Sequence, residues 1–296
     1  MTATMQTCDP YAMRPRDFDQ IRQMVYDFCG VDLTGKQVLV DTRLTKKVRE
    51  FGFPSVQSYC EHLKNNPKSE EFTSMIDMLT TNHTSFFREQ QHFNLLRSTI
   101  APEVPESEAI PIWSAACSSG EEPYTIAFSL YEALGESVFS RAEILATDIS
   151  TRVLEKAQRG LYPVSTIDKL PVAVRRRCLL KGTGEYADQC LVKREVRSLV
   201  TFKHFNLLED CSSFGPFQVI FCRNVMIYFD RQTQETLVNK LASRLLPGGY
   251  LFIGHSESLN GISHPLQYVA PATYRNVRAR KSAQTQRKMS QWGVSR

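Results

Sequence analysis

The sequence lacks the features that define several familiar protein classes. No apolar run approaches the ~20 residues of a membrane span, and the N-terminal stretch MTATMQTCDPYAMRPRD has no apolar core of a signal peptide. The eight cysteines form no CxxC pair and no His/Cys cluster at zinc spacing. We therefore expect a soluble, cytoplasmic protein with reduced thiols, no metal centre and no segment inserted in a membrane.

Acidic residues are absent from the stretch between Arg275 and Arg296, which carries seven basic residues. Removing these seven charges from the net charge of +5 leaves the remaining residues at −2. The sequence pI of 8.7 is thus a property of the C-terminus and does not indicate a nucleic-acid-binding body. We predict that residues 278–296 form a basic tail and residues 1–16 a flexible N-terminus.

The N-terminal third has apolar residues at helical spacing. The chain has 296 residues, of which 42% are hydrophobic and 23% charged, so it is long enough for two ordinary globular domains. We predict an α-helical domain over residues 17–97 and a proline-containing linker over 98–110. The predicted helices are DFDQIRQMVYDFCG, KQVLVDTRLTKKVREFGF, SVQSYCEHLKNN, SEEFTSMIDMLTTN and TSFFREQQHFNLLRSTI.

The hydrophobic period changes over residues 111–277. Short apolar runs alternate with helical stretches, which predicts an α/β domain with a parallel sheet and helices on both faces. Residues 175–203 instead alternate apolar and polar positions around a glycine turn, which predicts a small antiparallel insertion. The predicted strands are AIPIWSA, AEILATD, FQVIFC, GYLFIGHS and a closing strand in YVAPATYRNV, with LPGGY as a turn.

The loop in WSAACSSGEEPYTIA joins a strand to a helix, as in nucleotide-binding folds, but it lacks the glycines that cradle phosphates. Its acids Glu121 and Glu122 oppose a phosphate and favour a cationic amine or sulfonium. S-adenosylmethionine meets that requirement, whereas NAD fits poorly. The alternative is that both acids simply favour the start of a helix.

Two further residues have patterns typical of ligand binding. Asp148 ends a strand about 28 residues after Gly120, where a carboxylate often binds ribose hydroxyls. The alternative for Asp148 is a helix N-cap. Arg88 follows two phenylalanines and could pair with a ligand carboxylate through its planar guanidinium, or it is an ordinary surface arginine.

Six motifs together resemble the bacterial chemotaxis receptor glutamate methyltransferases, in the same order and over residues 17–277. The resemblance implies a Rossmann-like class I methyltransferase domain with a small antiparallel β-subdomain, preceded by an all-α domain. It implies that S-adenosylmethionine methylates glutamates on cytoplasmic receptor helices and leaves S-adenosylhomocysteine. The motifs are LTTNHTSFFRE, WSAACSSGEEPYTIA, ATDIS, HFNLL, FCRNVMIYFD and LPGGYLFIGHSESL.

The same resemblance implies a set of site residues. Tyr228 matches the tyrosine placed near the transferred methyl group, and we expect Arg88 and Tyr228 to be catalytic. A receptor glutamate with a pKa of about 4.3 is already ionised at pH 7, so the reaction needs alignment and no general base. The residues expected to bind the cofactor are Asn82, Thr84, Arg88, Glu122, Asp148, Asn206, Leu207, Arg223 and Asn224.

Recognition of the receptor is expected at two places. Arg43, Lys46 and Arg49 are spaced to share one helix face, and the resemblance implies receptor binding on this helix, although a merely solvated face is the alternative. Gly182 and Gly184 suit the family members that dock a receptor's C-terminal pentapeptide. We further expect a monomer that is recruited to membrane receptor arrays and binds no nucleic acid.

Two other functions stay open on the sequence alone. One is a methyltransferase that acts on another protein or on a small molecule. The other is a non-catalytic sensor or scaffold that binds S-adenosylmethionine, with the basic tail holding a partner.

Overall fold

The computed structural model describes residues 9–167 and 170–277. Helices make up the N-terminal part, and strands alternate with helices after it. The helices are α1 (Pro15–Cys29), α2 (Gln37–Glu50), α3 (Val56–Asn65), α4 (Glu70–Leu79), α5 (Gln91–Leu95), α6 (Ala101–Glu103), α7 (Glu121–Leu134), α8 (Val138–Arg141), α9 (Thr151–Arg159), α10 (Val164–Ile167), α11 (Val172–Cys178), α12 (Arg194–Arg197) and α13 (Arg231–Ser243). The strands are β1 (Ile110–Ala115), β2 (Ala142–Asp148), β3 (Leu161–Pro163), β4 (Leu179–Lys181), β5 (Gln189–Val192), β6 (Val200–His204), β7 (Phe217–Cys222), β8 (Leu245–Phe252), β9 (Gln267–Ala270) and β10 (Thr273–Arg275).

The first helices form where the sequence predicts them. The side chain of Asp17 accepts the backbone N–H of Arg14 at 3.2 Å and so satisfies a donor at the start of α1. Gly30 ends α1 with φ of 73°, a left-handed conformation that suits glycine. In α2 the buried stripe is Val40, Leu44 and Val48, at the four-residue spacing of one helix face.

Within the described part of the chain, seven strands form the main sheet in the order β6-β2-β1-β7-β8-β10-β9. The pairs from β6 to β8 are parallel, whereas β10 pairs antiparallel with both β8 and β9. The strand β1 pairs with β2 on one side and with β7 on the other, so the order of the strands reverses at β1. This is the kind of switch point at which open α/β sheets bind ligands, beyond the carboxyl ends of the strands.

The two faces of the sheet are covered differently. The helices α1–α4 share one hydrophobic core with the face that carries Trp113 and Ile220. The helices α5 and α7 share a second core with Ile112 and Phe221 on the opposite face. The helical N-terminal part is therefore packed directly against the sheet, and the predicted α/β fold with an all-α N-terminal domain is confirmed.

The small antiparallel sheet is present, but its boundaries differ from the predicted 175–203. It has the order β3-β5-β4, so it begins at Leu161. The strand β6 is not part of it, because Val200–His204 pairs parallel with β2 at the edge of the main sheet. A half-exposed edge strand alternates apolar and polar residues whether it is parallel or antiparallel, and the sequence pattern cannot separate the two.

The segment before β1 also differs from the prediction. Residues 84–90 are not helical, since Phe87 and Glu89 have φ of 54° and 56°. The expected linker 98–110 is helical as far as Glu103: a π-helical turn runs over Leu96–Ile100 and leads into α6. Proline is tolerated there because Pro102 stands in the first turn of α6, where an N–H is not needed.

Near the two ends of the chain the structure also differs from the prediction, in smaller ways. The closing strand is a hairpin of β9 and β10, and LPGGY lies inside β8. Met13 is buried and Tyr11 donates its hydroxyl to the Phe53 carbonyl at 3.2 Å, so the expected flexible N-terminus does not extend over residues 9–16. Residues 1–8 and the basic tail 278–296 lie outside the described residues. No helix that the structure describes is long and apolar enough to span a bilayer.

Candidate functional site

A cavity of about 310 Å³ lies at the carboxyl ends of β1, β2 and β7, where the N-terminal helical domain meets the sheet. Both parts of the molecule line it: Lys36 and Leu39 come from the start of α2, and Ala116 and Ser118 from the β1–α7 loop. Every residue predicted to bind the cofactor lines this cavity, as does Tyr228. These residues are Asn82, Thr84, Arg88, Glu122, Asp148, Asn206, Leu207, Arg223, Asn224 and Tyr228.

The β1–α7 loop approaches the cavity without a glycine cradle. Ala116 and Ser118 have φ of 67° and 50°, and Gly120 has φ of 94°. A Cβ at Gly120 would lie 2.7 Å from the Tyr162 hydroxyl and 2.8 Å from the Ala157 Cβ. The one glycine of the loop is therefore needed for helix packing, and phosphate binding does not explain it.

Asp148 is held at the end of β2 with only 5% of its surface exposed. Its Oδ2 accepts the Ser118 N–H at 2.8 Å, and its Oδ1 accepts the Ser150 N–H at 2.9 Å. Burial raises the pKa of Asp148, and these backbone hydrogen bonds oppose the rise. The cap of α9 is Ser150, whose hydroxyl accepts the Val153 N–H, so the N-cap alternative for Asp148 is wrong.

Arg223 is the centre of a buried charge cluster. Its guanidinium lies 2.9 Å from a Glu122 oxygen and 3.0 Å from a Glu89 oxygen, and it also donates to the Arg88 carbonyl. Glu122 accepts a further hydrogen bond from the Ser114 hydroxyl at 2.7 Å. Burial raises the pKa of Glu122, and Arg223 opposes the rise.

The cluster changes the interpretation of two predicted residues. Arg223 was expected to bind the cofactor, yet its donors are directed at Glu89, Glu122 and a carbonyl, so it organises the wall of the cavity. Glu89 was missed as a site residue. Its other oxygen accepts the Asn224 side-chain amide at 3.2 Å. Burial acts to raise the pKa of Glu89, but Arg223 and these hydrogen bonds outweigh it, and the pKa is lowered.

Several hydrogen bonds fix the remaining lining residues. The Arg88 guanidinium is half-buried and donates to the His83 carbonyl at 2.9 Å, and the Asn82 carbonyl accepts the Ser118 hydroxyl at 2.9 Å. Asn206 donates its side-chain amide to the Phe28 carbonyl at 2.5 Å, which ties the sheet to the end of α1. Residues 84–90 are not helical, and their backbone groups bond to other parts of the fold: the Phe87 N–H donates to the Thr125 hydroxyl at 3.2 Å, and the Arg88 carbonyl accepts the Arg223 guanidinium.

Tyr228 ends the short 3₁₀ helix Met226–Tyr228 after β7. Its carbonyl accepts the Asp32 N–H at 2.9 Å, so the segment that follows α1 is attached directly to the tyrosine backbone. The sequence signal FCRNVMIYFD identified this stretch, but neither Asp32 nor Lys36 was recognised as a cavity residue. Both stand in a turn with no motif of its own.

One group in the described residues has the composition of a metal site: Glu89, His92 and His255, whose ligand atoms lie within 4.8 Å of one another. Both oxygens of Glu89 are already hydrogen-bonded, to Arg223 and to Asn224. Burial lowers the pKa of His92 to about 3, so its ring is neutral and packs on Phe252. The cationic Arg223 next to the group is unfavourable for a divalent ion, and we assign no metal there.

The residues expected to recognise a receptor do not line the cavity. On α2, Arg43 donates to the Met78 carbonyl at 2.7 Å, and Arg49 lies over the Tyr11 ring at 4.5 Å. Lys46 is 84% exposed and 3.8 Å from a Glu50 oxygen. Lys46 and Arg49 are thus exposed on a helix whose first residues line the cavity, whereas Arg43 is half-buried and bonded to α4.

Gly182 and Gly184 lie in the β4–β5 hairpin of the small sheet. A Cβ at Gly182 would lie 1.9 Å from the Tyr186 carbonyl oxygen, and Gly184 has φ of 59°. Position 182 therefore requires glycine, and the left-handed backbone at 184 favours it. Leu180 and Tyr186 are about half exposed beside them.

Comparison with known proteins decides the family. A model described as "CheR methyltransferase, all-alpha domain" matches residues 16–80, and one described as "CheR methyltransferase, SAM binding domain" matches residues 82–274. The chain belongs to the CheR methyltransferase family. The resemblance seen in the motifs is thus confirmed.

Several curated relatives match most of this CheR-family chain. "Chemotaxis protein methyltransferase 2" of Pseudomonas aeruginosa is 41% identical over 260 residues, which are 87% of this chain and 92% of the relative. The chemotaxis protein methyltransferase of Borreliella burgdorferi is 39% identical and covers 88% of this chain and 93% of its own. That of Escherichia coli is 38% identical, with 86% and 89% covered.

The cavity fits the cofactor that the family model names. Its lining includes two carboxylates, Glu122 and Asp148, which would repel a phosphate, and its most buried guanidinium, Arg223, is already paired with acids. S-adenosylmethionine carries a sulfonium, an ammonium and a neutral ribose, which suit such a lining. The protein is an S-adenosylmethionine-dependent methyltransferase, and the non-catalytic alternative is not favoured.

Proposed function

We propose that this protein forms γ-methyl esters on glutamates in the cytoplasmic helices of chemotaxis receptors. The observation that carries the proposal is a cofactor-type cavity with no assembled general base. Among the residues that the structure describes, His83 is the only histidine lining the cavity, and it is exposed. The carboxylates that line it, Asp32, Glu122 and Asp148, each already accept hydrogen bonds within the protein. A substrate carboxylate, unlike an amine, arrives already deprotonated at pH 7.

When bound, S-adenosylmethionine supplies an electrophilic methyl group that a glutamate oxygen takes as the carbon–sulfur bond breaks, without any proton transfer. The protein's part is alignment. Asp148 is proposed to accept the ribose hydroxyls, and Glu122, held by Arg223, to border the methionine end. Tyr228 and Arg88 are proposed to orient the substrate carboxylate where the cavity opens. The other lining residues shape the pocket around the cofactor.

Receptor recognition is proposed on two surfaces outside the cavity. The cations of α2, a helix that starts at the cavity, would attract a glutamate-rich receptor helix. The β4–β5 hairpin with Gly182 and Gly184 offers an edge to which a receptor C-terminal peptide could add as a strand. We propose that the protein acts as a monomer in the cytoplasm and reaches membrane receptor arrays through these contacts.

The direct test uses methyl-labelled S-adenosylmethionine and receptor-containing membranes. A carboxyl ester is cleaved by mild alkali, so wild-type protein should transfer label that is released as methanol at high pH. Alkali-stable label on the receptors would indicate methylation of nitrogen or carbon and would overturn the proposal. Label on other proteins or on small molecules only would support the alternative methyltransferase function.

A further inference from the structure

One carboxylate beside the cavity holds the backbone of the loop that carries Tyr228. The Glu257 Oε2 accepts the Asn224 N–H at 2.9 Å, and its Oε1 accepts the Ile227 N–H at 3.2 Å. The same Oε2 accepts the Gly254 N–H at 2.5 Å, at the end of β8. Glu257 therefore connects the carboxyl end of β8 to the turn that follows β7.

The turn needs such support because its backbone is unusual. Asn224 has φ of 58°, which is the left-handed region, and its side-chain amide is directed to Glu89. The neighbouring strand end comes very close: a Cβ at Gly254 would lie 2.4 Å from the Asn224 amide nitrogen and 2.9 Å from Glu257. Glycine at 254 and glutamate at 257 thus fit together around the same turn.

The chemistry of the contact is specific to a carboxylate. Three backbone N–H groups converge on its two oxygens, and a carboxylate can accept at both, whereas an amide or a protonated acid cannot. Burial raises the pKa of Glu257, and the hydrogen bonds from Gly254 and Asn224 oppose that rise. An uncompensated charge at this place would be unfavourable, so the N–H groups and the carboxylate stabilise each other.

We infer that Glu257 is a positioning residue for methyl transfer: it fixes the Asn224–Tyr228 turn so that the Tyr228 side chain meets the reacting groups. Glu257 does not line the cavity. It acts through the turn, and its role rests on the proposed function of Tyr228. Loss of the carboxylate should displace the tyrosine while the Asp148 side of the cavity keeps its structure.

The test compares Glu257→Gln with a matched control, Glu235→Gln. Glu235 also accepts one backbone N–H, from Ser263 at 3.0 Å, but lies away from the cavity. In Glu257→Gln one amide NH₂ faces backbone N–H groups, so the turn should open. We expect kcat for receptor methylation to fall between about 10- and 100-fold, with KM for receptor within about twofold of wild type. The control should match wild type in both.

Hydrogen exchange of peptides covering residues 223–229 supplies a second measurement, one that needs no receptor. These amides should exchange faster in Glu257→Gln than in Glu235→Gln, while peptides around Asp148 stay unchanged. Should the glutamine variant fail to fold, Glu257→Asp, which keeps the charge but shortens its reach, is measured in the same way.

The outcomes separate the two ideas. If wild-type protein methylates no receptor, the proposed function fails, and the exchange data still decide whether Glu257 holds the turn. If receptor methylation is normal and Glu257→Gln keeps the wild-type kcat, the inference is wrong. Unchanged exchange in residues 223–229 would also overturn it, and so would faster exchange throughout the protein, which would mean a general loss of stability.

Discussion

The protein carries charge in two very different regions. Around Arg223 the charges are largely buried: the Arg223 side chain is 2% exposed, and those of Glu89 and Glu122 are 12% and 11% exposed. Arg223 forms an ion pair with each of the two acids. On α2, Lys46 and Arg49 face solvent: their side chains are 84% and 55% exposed, and their acidic partners lie 3.8 and 4.0 Å away. The same residue types thus do structural work in one region and are free to meet a partner in the other.

The burial of a charge decides which role it can have in the site. A buried ion costs desolvation energy, which a partner of opposite charge has to compensate. Removing one partner therefore leaves the other buried and uncompensated, which is strongly destabilising. An exposed ion stays hydrated, so its removal changes the free energy of unfolding little. It changes the long-range attraction of a charged partner more. Arg223 should therefore be a determinant of folding and site shape, and the α2 cations should be determinants of encounter.

The largest effect is expected from Arg223→Ala. It leaves Glu89 and Glu122 buried without their cation, and breaking such a buried pair costs about 3–5 kcal/mol in the free energy of unfolding. Urea unfolding at pH 7 measures it. The control is Arg159→Ala, whose side chain is 74% exposed and 3.8 Å from Glu155, and which should cost less than about 1 kcal/mol. Equal losses in the two variants would remove the distinction between the regions.

A smaller effect is expected from the double variant Lys46→Ala with Arg49→Ala. Arg43 is left in place because it donates to the Met78 carbonyl and so supports the fold. At about 0.5 kcal/mol per exposed cation, kcat/KM for receptor should fall about fivefold with cofactor affinity unchanged. Raising the salt concentration should slow wild-type protein more than the variant.

The control for α2 removes two exposed cations elsewhere, Lys156 and Arg159 of α9. That variant should keep the wild-type kcat/KM and its salt dependence. If both double variants respond alike, α2 has no special part in recognition, and its basic face is simply solvated.

The sequence predicted the lining of the cavity better than its internal bonds. Asp148 was found because it ends an apolar run, and the carboxyl ends of parallel strands meet at one edge. Asn224 was found through the resemblance of FCRNVMIYFD to the family motif. The role of Glu89 could not be predicted. It depends on a turn with φ of 56°, and the Phe87 N–H in that turn donates to the Thr125 hydroxyl 38 residues away. Helical spacing in the sequence pointed to the wrong local structure there.

The sequence also predicted poorly the edge strand of the main sheet and the segment that joins the helical part to β1. Strand β6 has the same alternation as the hairpin before it, and only its pairing with β2 distinguishes the two. The segment up to Glu103 contains Pro102, and proline is typical of linkers, yet Ile100 and Ala101 are fully buried in the core shared with the sheet. Tertiary packing decided both cases, and packing partners distant in sequence are invisible to a local pattern.

We expect Asp148 to hold the cofactor, and calorimetry with S-adenosylhomocysteine measures its contribution to binding. The control is Asp210→Ala, because Asp210 also accepts the N–H two residues later, from Ser212 at 2.9 Å, but lies outside the cavity. Loss of up to two charged hydrogen bonds, at roughly 1.5–3 kcal/mol each, predicts at least a tenfold weaker Kd for Asp148→Ala. The control should bind like wild type. Wild-type affinity in Asp148→Ala, with the fold intact, would contradict the account.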